Sequence, residues 1–148
     1  MLIRRLDETT TPEQPLFRQS YLEYPEDLKS MKNSLRKILN NIAQNGEVPE
    51  DVTWSEVIRL LEFMIIEESQ SFKERSGYVV PKEDEEGYDS FDQNLEVLIT
   101  LLGGFREKPP FTLQRICELV VSGRDIYAQT HHFMFALEKC LNISLGVS

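Results

Sequence analysis

Apolar residues recur along this chain at helical spacing. Leu28, Met31, Leu35, Ile38, Leu39 and Ile42 follow Pro25 at steps of three and four, which aligns them on one stripe of a first helix. Gly46 stands where a C-cap would, and Pro49 blocks continuation. A second helix has a sharper start: Thr53 and Glu56 have the spacing of a capping box, and Val52 and Val57 that of a hydrophobic staple. Its stripe runs Val57, Ile58, Leu61, Met64, Ile65 and on to Phe72, with Trp54 expected to fold back onto the core. A third helix starts near Ser90, carries Leu95, Leu98, Ile99 and Leu102, and stops at Gly103-Gly104. The fourth lies in "PPFTLQRICELVV", Pro109 to Val121. With Thr112 as N-cap, Phe111 and Ile116 again have staple spacing, and the prolines fix the direction of a short helix that propensity alone would not hold. Leu113, Ile116, Cys117 and Val120 share its inner face; Gln114, Arg115 and Glu118 share the outer one. Arg115 and Glu118 are i,i+3 partners worth roughly 0.2–0.5 kcal/mol. The fifth helix starts after Thr130 with Phe133, Leu137, Cys140 and Leu141 inward, and His131, Phe135, Glu138 or Lys139, and Asn142 outward.

Five to six amphipathic helices with little strand signal predict an all-α fold, a bundle of stacked helical hairpins. Residues 1–25, with few apolar residues from Asp7 to Pro25, read as a flexible or docked leader in which Leu16, Phe17, Tyr21 and Leu22 could pack. Residues 26–148 read as one helical domain. Within it a charged loop at about 73–90 is broken by Gly77, Pro81 and Gly87, and its "GYVV" is either a strand-like piece or solvated chain.

Charge narrows the function classes. Between Glu47 and Asp92 there are fourteen carboxylates against four Lys or Arg, a segment charge of −10; with −9 overall, the rest of the chain is balanced at +1. Such a region stays solvated or faces a basic partner. From Gln93 to Ser148 five acids balance five bases. The fourth and fifth helices, joined through "SGRD", mimic a helix-turn-helix, but no basic stripe supports nucleic-acid binding. Cys117 and Cys140 sit in apolar helical patterns, as buried free thiols of a reducing compartment would. No apolar run follows the charges of Met1 to Leu6, so no signal peptide is expected, and none approaches the ~18 apolar residues of a membrane span.

Catalytic and cofactor motifs are missing: there is no P-loop, GxGxxG, G-x-S-x-G or H-E-x-x-H. His131-His132, with Cys117 and Cys140, matches no zinc spacing. No enzyme, cofactor or metal is therefore expected. An outward Phe135 beside a rigid helix carrying Arg115 fits a protein interface better, because such surfaces pair aromatic anchors with Arg. On pattern alone the chain is a helical interaction module.

"PPFTLQRICELVV", Tyr127 and "HHFMFALEKCLNIS" resemble the paired helices of the protein phosphatase 4 regulatory subunit 2 family. "ILNNIAQNGEVPEDVTWSEVIRLLE" is similar to that family's upstream segment, so the resemblance spans roughly 35–67 and 94–144. Phe111, Thr112, Gln114, Arg115, Cys117, Glu118, Leu119, Tyr127, Phe133, Ala136, Glu138 and Lys139 match the family pattern. Ser122-Gly123 stands where the family has Asp-Pro, and Met134-Phe135 where it has Leu-Arg; both suggest a divergent, fungal-like member. The family's long acidic tail has no counterpart here, which leaves tail-dependent functions open. The resemblance implies a non-catalytic subunit that binds the phosphatase 4 catalytic subunit and a second regulatory subunit. It also implies action in the DNA-damage response, in nucleus and cytoplasm. Phe111, Thr112, Gln114, Arg115, Glu118, Tyr127, Phe133, Phe135, Glu138 and Lys139 are the candidate partner-binding or family-motif residues.

Overall fold

A computed structural model describes residues 32–146; the leader, Leu28 and Met31 lie outside the described residues. Five helices are present among them, with no strand: α1 (Lys32–Asn45), α2 (Trp54–Ser76), α3 (Phe91–Leu102), α4 (Leu113–Ile126) and α5 (Thr130–Ser144). A 3-10 turn, Gly103–Phe105, follows α3. The fold is an all-α bundle, as the periodicity predicts. No described helix is long and apolar enough to cross a membrane.

Local chemistry sets several helix ends. Gly46, at φ 77°, closes α1 by donating its N–H to the Ile42 carbonyl at 2.7 Å. At the start of α2 the capping box is formed in both directions: the Glu56 N–H donates to Thr53 Oγ1 and the Thr53 N–H to Glu56 Oε1, each at 3.2 Å. Trp54 folds back as expected, its indole N–H donating to the Phe105 carbonyl at 2.6 Å. Ser90 caps α3 by accepting from the Gln93 N–H at 3.1 Å.

The packing places α2 at the centre. It touches each of the other four helices, while α1 lies along α4 and α3 along α5. The single apolar stripe read from its sequence is therefore too narrow. Leu60, Phe63 and Ile66 are buried as fully as Leu61 and Ile65, and Glu56, Glu62, Glu67, Glu68 and Ser69 are buried too. A helix surrounded by neighbours must bury every face, polar residues included; Glu56 is held in its capping box, and Glu62, Glu67 and Glu68 by ion pairs. Arg36 of α1 reaches Glu68 at 2.6 Å and also donates to the Val121 carbonyl of α4 at 2.8 Å. Arg124 of α4 meets the same Glu68 at 3.3 Å, and Lys32 meets Glu67 at 3.3 Å. One part of the acidic region is thus internal structure; the other is the loop after α2.

That loop begins at Gly77, because α2 continues through Lys73 to Ser76. "GYVV" forms no strand, and Val79 and Val80 are exposed. Its two tyrosines hold it down. Tyr78 donates its hydroxyl to the Tyr88 carbonyl at 2.8 Å and accepts from the Asn94 side chain at 3.2 Å. Tyr88 donates to Glu138 of α5 at 3.0 Å, and Thr130 donates to the Gly77 carbonyl at 2.6 Å.

Candidate functional site

The approach to α4 is rigid, but not through the cap its sequence suggests. Thr112 has φ −90° and ψ 15°, not the extended backbone of a side-chain N-cap, and its hydroxyl makes no cap bond. Thr112 Oγ1 instead donates to the Cys140 carbonyl at 3.0 Å and lies 2.6 Å from Ser144 Oγ. The Thr112 N–H also donates to Ser144 Oγ at 3.3 Å. The start of α4 is thereby fastened to the last turn of α5. Phe111 does not act as a staple: it is 77% exposed, while Ile116 is fully buried. A tertiary acceptor outcompeted the local cap, and the turn that satisfied it swung the phenyl ring outward.

The polar face of α4 divides into two jobs. Gln114 donates through Nε2 to the Ala43 carbonyl at 3.0 Å and to that of Gln44 at 3.4 Å, closing carbonyls at the end of α1. Arg115 and Glu118 form the expected i,i+3 pair at 3.4 Å, with both side chains about half exposed. Tyr127 ends α4, its N–H donating to the Gly123 carbonyl at 2.9 Å, and packs partly against the core.

On α5 the predicted outer face is corrected. His131 is fully buried and Glu138 is 9% exposed, because the loop before α3 lies across them. Phe135 is only half-buried, so it is not an exposed anchor; His132, Lys139 and Ile143 are the outward residues. Phe133 points inward as expected and stacks on Phe72 with ring centroids 5.1 Å apart. The candidates left at the surface are Phe111, Gln114, Arg115, Glu118 and Lys139, around the α4 entrance and the C-terminal half of α5, and of these Gln114 is already engaged with the end of α1. Ile143 and Leu145 are exposed at that end of α5. The sequence signal for Phe111 was present, as an aromatic between proline and threonine, but staple spacing pointed it the wrong way.

Chemical reactivity is low here. Cys117 and Cys140 are free thiols, the first buried and the second half-buried. Burial pushes the Cys117 thiol up to about 12, helped by Glu118; burial also raises Cys140, against the opposing pull of Arg115. Neither is poised as a nucleophile at neutral pH. One set of metal-competent side chains stands among the described residues: Glu85, His131 and His132, whose donor atoms lie within 4.8 Å of one another. His131 is pushed below the usual histidine range by burial first and by His132 second. Glu85 is pulled below the usual carboxylate range by the Lys82 backbone N–H first, then by His132.

A protein-family model described as PPP4R2 matches residues 25–145 of the chain. No curated protein and no solved structure matches it significantly.

Proposed function

The chain belongs to the PPP4R2 family, the regulatory subunit 2 family of protein phosphatase 4, and from that membership we propose that it binds the phosphatase 4 catalytic subunit as a non-catalytic regulator. The observation that carries a docking surface is Phe111. A phenyl ring 77% exposed directly precedes Thr112, whose N–H and hydroxyl are both bonded to α5, and lies four residues before the half-exposed Arg115, itself paired with Glu118. A rigid aromatic next to an arginine is the composition of an interface hot spot, and its ordering cost is already met in the free protein. Lys139, also exposed, extends the surface along α5. Gln114 is exposed but engaged with the end of α1, and Tyr127, Phe133, Phe135 and Glu138 are buried or half-buried, so these five hold the fold rather than touch the partner.

The exposed acids of the loop, Glu83 to Glu86, steer a basic surface of the catalytic subunit or a basic substrate, by attraction that salt weakens. A second regulatory subunit completes the assembly, which serves the DNA-damage response in nucleus and cytoplasm.

Co-expression with the phosphatase 4 catalytic subunit, read by size-exclusion chromatography, tests the proposal. The wild-type chain co-elutes. Phe111→Ala and Arg115→Glu weaken co-elution at least about tenfold, the effect of losing a hot-spot residue, with unchanged circular dichroism. Co-elution kept in both variants moves the interface off α4; absence of co-elution in the wild type, with or without a second regulatory subunit, overturns the catalytic-subunit partnership.

A further inference from the structure

We propose that Glu85, His131 and His132 bind one Zn2+ ion, which clips the acidic loop to the first turn of α5. The whole of α3 and α4 separates Glu85 from the histidines along the chain, so no spacing motif announces the set. The fold brings them together. His132 Nε2 is 3.2 Å from Glu85 Oε2, the two imidazole rings have centroids 4.2 Å apart, and the three donor atoms fit within 4.8 Å. Tetrahedral zinc with ligand bonds of about 2.0–2.1 Å sets its donors roughly 3.3 Å apart. The Glu85–His132 edge already has that length. Closing the remaining edges takes a shift of up to about 1.5 Å, and Glu85 and His132 are exposed enough to make it, with side chains 35% and 45% accessible.

His131 supplies a second, independent reason. It is fully buried, and neither ring nitrogen has a hydrogen-bond partner. A buried imidazole left unsatisfied loses roughly 1–3 kcal/mol of hydrogen bonding, and native interiors rarely tolerate that without a ligand. A metal ion at the shared corner satisfies one of those nitrogens. The donor chemistry selects the ion. Two imidazoles and one carboxylate suit zinc, with a fourth position for water; calcium and magnesium ask for oxygen ligands throughout.

One force opposes the site. The N-terminus of α5 carries the positive end of its helix dipole, worth roughly 0.3–1 kcal/mol against a cation. Glu85 itself and its exposed neighbours Glu83, Asp84 and Glu86 supply the compensating charge. The loop is already tethered at both ends, by Thr130 to Gly77 and by Tyr88 to Glu138, so an ion at Glu85 fixes its middle with little further loss of entropy.

The test uses the untagged full chain after dialysis against a chelator. Because it has only two histidines, histidine-labelled NMR reports this site alone. Zn2+ titrated by calorimetry binds at one equivalent and shifts both imidazoles, and Co2+ in its place gives the visible bands of a tetrahedral site. Glu85→Gln and His132→Ala, both at exposed positions, each weaken Zn2+ at least about tenfold, the loss that removing even an outer-shell partner produces. Absence of binding overturns the site. So does binding that stays within about twofold of wild type in either variant, because the ion then rests on other groups.

Discussion

Glu138 and Tyr88 form a pair in which burial works against charge. Burial raises the Glu138 carboxyl first; the Tyr88 hydroxyl and Asn142 pull it back, and Glu86 adds to the rise. The Tyr88 phenol is pushed up to about 12, by burial and then by the same carboxylate. The signs follow from proton linkage. For Glu138 the folded state holds its proton more tightly than the unfolded one, so its contribution is most favourable below the ordinary carboxylate range and declines as pH rises through the raised value. For Tyr88 the contribution is intact below about pH 10 and is lost as pH climbs through about 12. Tyr88→Phe removes a donor from a buried carboxylate and should lower stability at pH 7 by about 1–3 kcal/mol. The loss should shrink at pH 4, where Glu138 is increasingly neutral. Urea denaturation at the two pH values checks this. Tyrosine absorbance gives a second readout: one phenolate should appear near pH 12, late relative to an ordinary tyrosine. An equal loss at both pH values would assign the effect to Tyr88 packing rather than to the hydrogen bond.

At the scale of elements, the crossing of α4 and α5 turns on Gly123. A Cβ there would lie 2.3 Å from Phe133 Cε1, and Phe133 is held by its stack on Phe72 with 1% of its surface exposed. Helix propensity favours Ala over Gly by about 1 kcal/mol, while overpacking a filled core costs typically 1–3 kcal/mol. The clash should win, so Gly123→Ala should lower the midpoint of thermal unfolding by several degrees, with Ser122→Ala near neutral as the control. Stabilisation by Gly123→Ala would show that the Phe133 ring has room to move. The same crossing also marks where sequence reading succeeds and fails. The Thr53–Glu56 cap and the Gly46 stop were legible because donors and acceptors within four residues settle them. Thr112 was not, because its acceptors, the Cys140 carbonyl and Ser144, are 28 and 32 residues away. The candidate site inherits that limit: the Arg115–Glu118 pair was readable from spacing, whereas the outward turn of Phe111 and the burial of His131 and Glu138 depend on tertiary neighbours.

The whole molecule is organised around α2, and there a periodic pattern is least informative. Periodicity identifies one buried face, but a central helix has no solvent side, and its carboxylates resemble solvated charge until their partners are known. The partners of Glu68 are Arg36, 32 residues upstream, and Arg124, 56 downstream, so one buried carboxylate ties α1 and α4 to α2. The two arginines differ in what they contribute. Arg36 is mostly enclosed and also satisfies the Val121 carbonyl, whereas the Arg124 side chain is 41% exposed and screened by water. Glu68→Ala would strand the Arg36 guanidinium in a part-buried position and should destabilise the fold by about 3 kcal/mol, the low end for breaking a buried pair. Arg124→Ala should cost under about 1 kcal/mol, and raised salt should weaken that interaction alone. Urea denaturation of the two single variants and the double variant measures the difference. Near-additive effects would follow if Arg36 carries the junction. A Glu68→Ala loss no larger than that of Arg124→Ala would instead mean that apolar packing of α2 holds the three helices together, with the buried charges adding little to stability.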